Sequence, residues 1–134
     1  MYPENYNYIA IFSYDDDGIS IEFPDLPGCL SCADTTEEAI ESAKEALSLH
    51  LYGMECDKDE IPVPSDVKDL KLDKNEVPIM INVFMTPFRE KMNNKFVKKT
   101  LSIPNWLNTI AEHENINFSK VLQNALKDYL KIKN

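Results

Sequence analysis

The chain is 134 residues long, 43% hydrophobic and 28% charged, with a formal net charge of −9. That is enough for one domain or two small ones with a buried core. No apolar run reaches the roughly 18–20 residues that a membrane-spanning helix needs.

The N-terminal stretch MYPENYNYIAIF has neither the basic region nor the cleavage site of a signal peptide, so the expected location is the cytoplasm. Tyr6 to Tyr14 (YNYIAIFSY) alternates and is rich in aromatic and β-branched residues, which predicts a strand. Asp15-Asp16-Asp17-Gly18 reads as a turn, with glycine where a positive φ is needed. Ile19 to Phe23 is a second strand. After the break Pro24-Asp25-Leu26-Pro27-Gly28, Cys29 to Ala33 returns as a third.

Thr35 and Glu38 have capping-box spacing and predict a helix start. Ile40, Ala43, Leu47 and Leu51 give it an apolar stripe, Glu38, Glu41 and Glu45 a solvated face, and Gly53 a stop. Residues 55–76 read as a polar loop, and Pro78 to Met85 as the last strand of the sheet. The first module, residues 1–88, is therefore β-β-β-α-β, a sheet with one helix against it. Thr86 to Asn94 reads as a polar linker.

The second module, residues 95–134, is predicted as strand Phe96–Ile103, helix Pro104–Glu114, a turn at Asn115-Ile116-Asn117 and helix Phe118–Lys131. Pro104 suits a first helical turn and Asn117 an N-cap. Forty residues with a lone strand and two apolar helices cannot close a core alone. The expectation is an obligate homodimer on a two-stranded antiparallel ribbon, its core made by Leu101, Ile103, Leu107, Ile110, Val121, Leu122 and Leu126. By period two, Lys98, Thr100 and Ser102 then share the exposed ribbon face, with side chains suited to base edges in a major groove. Asn117, Phe118 and Ser119, at the start of the last helix, offer backbone N–H groups to a phosphate. Lys99 has inward parity and must snorkel or lie near the strand end.

Charge divides along the same line. Residues 1–94 carry 20 Asp/Glu against 7 Lys/Arg, a net of −13, and residues 95–134 carry 3 against 7, a net of +4. The two modules therefore suit different partners, and only the second attracts nucleic acid phosphates.

VKKTLSIPNWLNTIAEHENINFSKVLQNALKDYL resembles the ribbon-helix-helix DNA-binding domain of bacterial repressors such as MetJ and Arc. Asn115 stands where many members have a turn glycine. YIAIFSYDDDGISIEFPDLPGCLSCADTTEEAIESAKEALSLHL is similar to the antitoxin domain of HicB proteins, through the strand-turn-strand, PDLPGC and the Glu-Glu-Ala helix start. Together they resemble a HicB-type antitoxin of a type II toxin–antitoxin system with a C-terminal ribbon-helix-helix domain. The resemblance implies an α+β protein whose first domain is partly RNase H-like. It also implies that the protein binds and neutralises a HicA-like mRNA-cleaving toxin and represses its own operon as a homodimer or higher oligomer. It implies no catalysis, cofactor, metal or membrane, and leaves the toxin-contacting residues unassigned.

Two alternatives remain. One is a metal-dependent nuclease on the RNase H-like scaffold. Its carboxylates Asp15, Asp16 and Asp17 would splay within one turn, and Ser13 and Pro24 occupy the end positions of a calcium-loop register. His50 and His113 stand in no recognisable motif. The other alternative is an adaptor whose ribbon only dimerises. The three cysteines do not suit a disulfide framework, and Cys29-x-x-Cys32 with distant Cys56 and His50 makes a poor zinc set. Cys29 and Cys32 are expected to be small buried thiols.

Overall fold

The computed structural model describes residues 1–94 and 96–132; Lys95, Lys133 and Asn134, which the expected second module includes, lie outside them. The chain divides into two compact units, Met1–Lys95 and Phe96–Asn134. Among the described residues it is a mixed α+β protein with a four-stranded antiparallel sheet and four α-helices.

In the first unit, β1 (Asn5–Asp15) pairs with β2 (Gly18–Glu22) across the acidic turn, and β2 pairs with β3 (Leu30–Ala33). The fourth strand, β4 (Glu76–Phe84), runs antiparallel to β1 on its other side, giving the order β3-β2-β1-β4. As an edge strand, β4 tolerates Pro78. The hairpin depends on Gly18, whose φ is +135° and whose missing Cβ would sit 3.1 Å from the Ala33 carbonyl. One face of the sheet, with Tyr6, Tyr8, Ala10, Phe12, Ile21 and Ile81, packs against α1 (Thr36–Asp57).

Thr35 caps α1 as predicted: its Oγ1 accepts the Glu38 N–H at 3.2 Å. The Glu38 carboxylate reaches back one residue further than a capping box requires, to the Asp34 N–H at 3.4 Å. The buried stripe is Ala39, Ala43, Leu47 and Leu51, so Ala39 takes the place expected of Ile40, which is half-buried. Glu38, Glu41 and Glu45 face solvent, as expected.

Gly53 does not stop the helix. α1 runs on to Asp57 because Met54 still packs on the core and Glu55 is held by a buried ion pair. The stop is Lys58, left-handed at φ 58°, with the Asp59 N–H donating to the Met54 carbonyl at 2.9 Å, a Schellman closure.

The expected linker is also corrected. Residues 85–93 form α2 (Met85–Asn93), with Pro87 inside the first turn, where a missing N–H costs nothing. Met85 is fully buried, and Phe88 meets Tyr52 of α1 edge-to-face with ring centroids 5.8 Å apart. Between α1 and β4, residues 58–75 are irregular apart from one 3-10 turn, Val67–Asp69.

In the second unit, α3 (Asn105–His113) follows Pro104, and α4 (Phe118–Leu130) follows Asn117. Asn115 adopts φ 56° in the turn, a backbone that asparagine tolerates. The predicted strand Phe96–Ile103 is not formed: residues 96–104 carry no strand pairing. A strand exists only against a partner, and a single copy of this sequence supplies none here.

Candidate functional site

The residues singled out for nucleic acid contact all lie in the second unit. Lys98, Thr100 and Ser102 are exposed in the segment before α3, and so is Lys99, whose expected conflict therefore does not arise in the single chain. At the start of α4 the Asn117 side chain accepts the Lys120 N–H at 3.1 Å. The cap thus uses Lys120, while the first-turn N–H groups of Phe118 and Ser119 have no intrahelical acceptor and stay available to an anion.

The seven residues expected in a dimer core are not packed in the single chain. Leu101 is 62% exposed, and Ile103, Leu107, Ile110, Val121 and Leu126 are likewise exposed; Leu122 is half-buried. Trp106, beside them, is 65% exposed. Among the described residues of this unit none is buried. Two amphipathic helices that leave Trp, Leu and Ile in water gain little from folding alone, because burial of such side chains is worth about 1.5–3 kcal/mol each.

The first unit contains a buried polar cluster that the sequence reading missed. Glu55 continues the stripe 39-43-47-51 by one more step of four, and its carboxylate is buried. Arg89, the only arginine in the chain, reaches it from α2 through Nε to Oε1 at 2.9 Å and Nη2 to Oε2 at 2.6 Å. Tyr6 of β1 donates its hydroxyl to Oε2 at 2.8 Å, and Arg89 Nη2 also donates to the Pro3 carbonyl at 2.8 Å. Burial and the bond to Glu55 hold the Tyr6 hydroxyl well above the usual phenol range. The hydrogen bond to Glu55 likewise holds the Arg89 guanidinium above its ordinary value. A carboxylate on an apolar helical stripe, and a single arginine, were the available signals.

The PDLPGC stretch makes a tight loop. Leu26 is buried, the Cys29 N–H donates to its carbonyl at 3.0 Å, and Gly28 takes φ +88°. Asp25 accepts the Ser65 N–H at 2.8 Å, tying the long loop after α1 to this turn, and the Tyr8 hydroxyl donates to the Pro62 carbonyl. Of the thiols, Cys29 alone is buried, and burial pushes it up to about 11; Cys32, against expectation, is exposed, and so is Cys56. By period two Cys32 shares the outer face of β3 with exposed Leu30.

The residues weighed for hydrolysis do not converge. Asp15, Asp16 and Asp17 are exposed in the hairpin turn, with Asp15 Oδ1 accepting from Asn75 Nδ2 at 3.1 Å. His50 lies in α1 and His113 ends α3. Among the described residues no group of three or more His, Cys, Asp or Glu is arranged to hold a metal ion, and no helix is long and apolar enough to cross a membrane.

Residues 7–127 match the family model described as HicB_like antitoxin of bacterial toxin-antitoxin system. A 14.9 kDa uncharacterized protein of Haemophilus phage HP1 is 43% identical over 53 residues, 40% of each chain. The protein named Antitoxin HicB 2 of Photorhabdus laumondii is 39% identical over 62 residues, 46% of this chain and 45% of that one. The chain spans about half the length of the curated relatives it matches. A solved toxin–antitoxin complex from Streptococcus pneumoniae includes a chain of the same fold, with a TM-score of 0.60 at 24% identity, covering 93% of this chain and 99% of that one.

Proposed function

This chain belongs to the HicB-like antitoxin family of bacterial toxin–antitoxin systems, and from that premise we propose that it neutralises a HicA-like mRNA-cleaving toxin and represses its own operon in the cytoplasm. The observation that carries the proposal is the family match, which runs from residue 7 to residue 127 and so takes in both units. The first unit, acidic and with its own core, takes the toxin. The second, basic unit takes operator DNA. The protein acts by binding and not by catalysis.

The second unit works as a homodimer of the ribbon-helix-helix kind. Residues 96–103 of two copies pair as an antiparallel ribbon, and Leu101, Ile103, Leu107, Ile110, Val121, Leu122 and Leu126 become its core. The exposure of these side chains in one copy supports this, since a second copy is the simplest cover for them. Lys98, Thr100 and Ser102 then face the bases, and the amides of Phe118 and Ser119, ordered by Asn117, hold a phosphate.

Co-expression tests the first half: this chain should relieve growth arrest caused by the HicA-like protein encoded beside it. Gel shift with the DNA upstream of its own gene tests the second. Binding should weaken with salt by about 0.9 log units per log unit for each phosphate neutralised. Replacing Lys98, Thr100 and Ser102 with alanine should abolish the shift and leave rescue of growth intact. Rescue without any DNA binding at low salt would leave the adaptor alternative standing.

A further inference from the structure

The second half of α1 borders a groove of about 740 Å³ that lies wholly within the first unit. Its apolar lining comes from Leu49 and Met54 of α1, Leu26 and Pro27 of the PDLPGC loop and Pro62 of the segment after α1. Its walls are fixed before any partner arrives. Asp25 is bonded to the Ser65 N–H, and the Pro62 carbonyl accepts from buried Tyr8. Leu49 is nevertheless 58% exposed, a leucine facing water on the rim of a preformed groove.

Two further features set this groove apart from the rest of an acidic surface. Asp57, Asp59 and Glu60 are among its lining residues, all exposed and none in an ion pair among the described residues. Gly53 lies between Leu49 and Met54 in the middle of a helical turn, where glycine is the poorest choice after proline. A Cβ there would meet nothing within 4 Å, so no neighbour in this chain requires the glycine. Its effect is to bare the helix backbone along the groove, which lets another chain approach closely.

We propose that this groove is where the first unit takes the toxin. A segment of the toxin bearing Lys or Arg lies along Leu49, Gly53 and Met54, its aliphatic stems on the apolar floor and its cations against Asp57, Asp59 and Glu60. The inference rests on the proposed antitoxin function. The occupant follows from charge: a protein that grips RNA must present cations to phosphates, and a groove that captures those cations blocks RNA by direct competition. The acidic turn Asp15–Asp17 and the outer face of α1 at Glu38, Glu41 and Glu45 have the same sign of charge and are not among the residues lining this groove.

Calorimetric titration of the full chain with the inactivated HicA-like protein of the same operon tests this. Gly53→Trp, which fills the groove, should weaken binding about 100-fold. The double reversal Asp57→Lys/Asp59→Lys should weaken it about 10- to 100-fold and flatten its salt dependence. A control reversal of equal charge, Glu41→Lys/Glu45→Lys, should stay within about threefold of wild type, since rim charges outside an interface act weakly. Because Asp57 and Asp59 are exposed, their variant keeps the fold even where Gly53→Trp does not, and circular dichroism verifies this. Wild-type affinity in the double reversal, or an equal loss in the control, overturns the groove and leaves the antitoxin function standing. A wild-type chain that shows no binding at all overturns that function instead.

Discussion

Arg89→Ala should be the most damaging single truncation on the surface of the first unit. The Glu55 side chain is only 6% exposed and receives two bonds from Arg89, at 2.9 and 2.6 Å, and one from Tyr6 at 2.8 Å. Removing one partner of a buried pair leaves an uncompensated charge, at a cost of about 3–5 kcal/mol. Arg89 itself is 23% exposed, so water can partly replace it, and the expected loss is about 3 kcal/mol. For a unit of this size that lowers the thermal midpoint by roughly 10–20 °C. Arg89→Lys should recover less than half of the loss, because a single ammonium cannot reproduce the fork to Glu55 and the bond to Pro3. The double variant Arg89→Met/Glu55→Leu should be more stable than Arg89→Ala, since no charge is then left buried. The assay is thermal unfolding followed by near-ultraviolet tyrosine signals, because the only tryptophan, Trp106, reports the second unit alone. A midpoint for Arg89→Ala within about 2 °C of wild type would refute the buried-pair account. A double variant weaker than the single one would refute its electrostatic part.

Alkaline pH should destabilise the first unit through Cys29. Its folded thiol is raised to about 11 by burial, so its stabilisation is complete below the unfolded value near 9 and is lost as pH rises toward 11. Cys29→Ala should flatten the stability profile in that window, and a thiol reagent at pH 8 should modify Cys32 and Cys56 rapidly and Cys29 slowly. Gly18→Ala should cost about 1–3 kcal/mol in urea unfolding, since the position combines φ +135° with a carbonyl 3.1 Å from the new methyl. Trp106 fluorescence should show an unfolding midpoint that rises with protein concentration, whereas the tyrosine signals of the first unit should not. A Trp106 midpoint independent of concentration would refute the need for a partner.

The elements legible in the sequence were those fixed by local chemistry. The alternation of Tyr6–Tyr14 gave β1, the hydroxyl of Thr35 gave the start of α1, and Asn117 that of α4. What escaped was decided by distant partners. Gly53 reads as a stop only until Glu55, two residues on, is seen to bind Arg89. Residues 85–93 look like a polar linker, yet Met85 and Phe88 have a core to meet and Tyr52 to stack on. The groove beside α1 was invisible because it sets residues 25–27 against residues 49–62, more than twenty positions further along the chain. Phe96–Ile103 carries a strand pattern but no strand, since a strand needs a paired neighbour and the described residues of one chain give it none.

The contrast between the units has a consequence for the proposed function. The first unit buries Tyr8, Phe12, Leu47, Leu51, Ile81 and Met85 within one copy, so its fold does not depend on concentration. Among its described residues the second buries none, and in the proposed dimer it would gain its core by association. On the proposed function, toxin capture on the first unit would then be available to every copy, whereas DNA binding on the second would scale with the fraction paired. A cell with little of this protein would still disarm toxin while its operator stayed open, and would close the operator only once copies had accumulated enough to dimerise. That ordering needs no allosteric contact between the units. It would follow from placing one proposed function on a core complete in one copy and the other on a core that the proposed dimer builds.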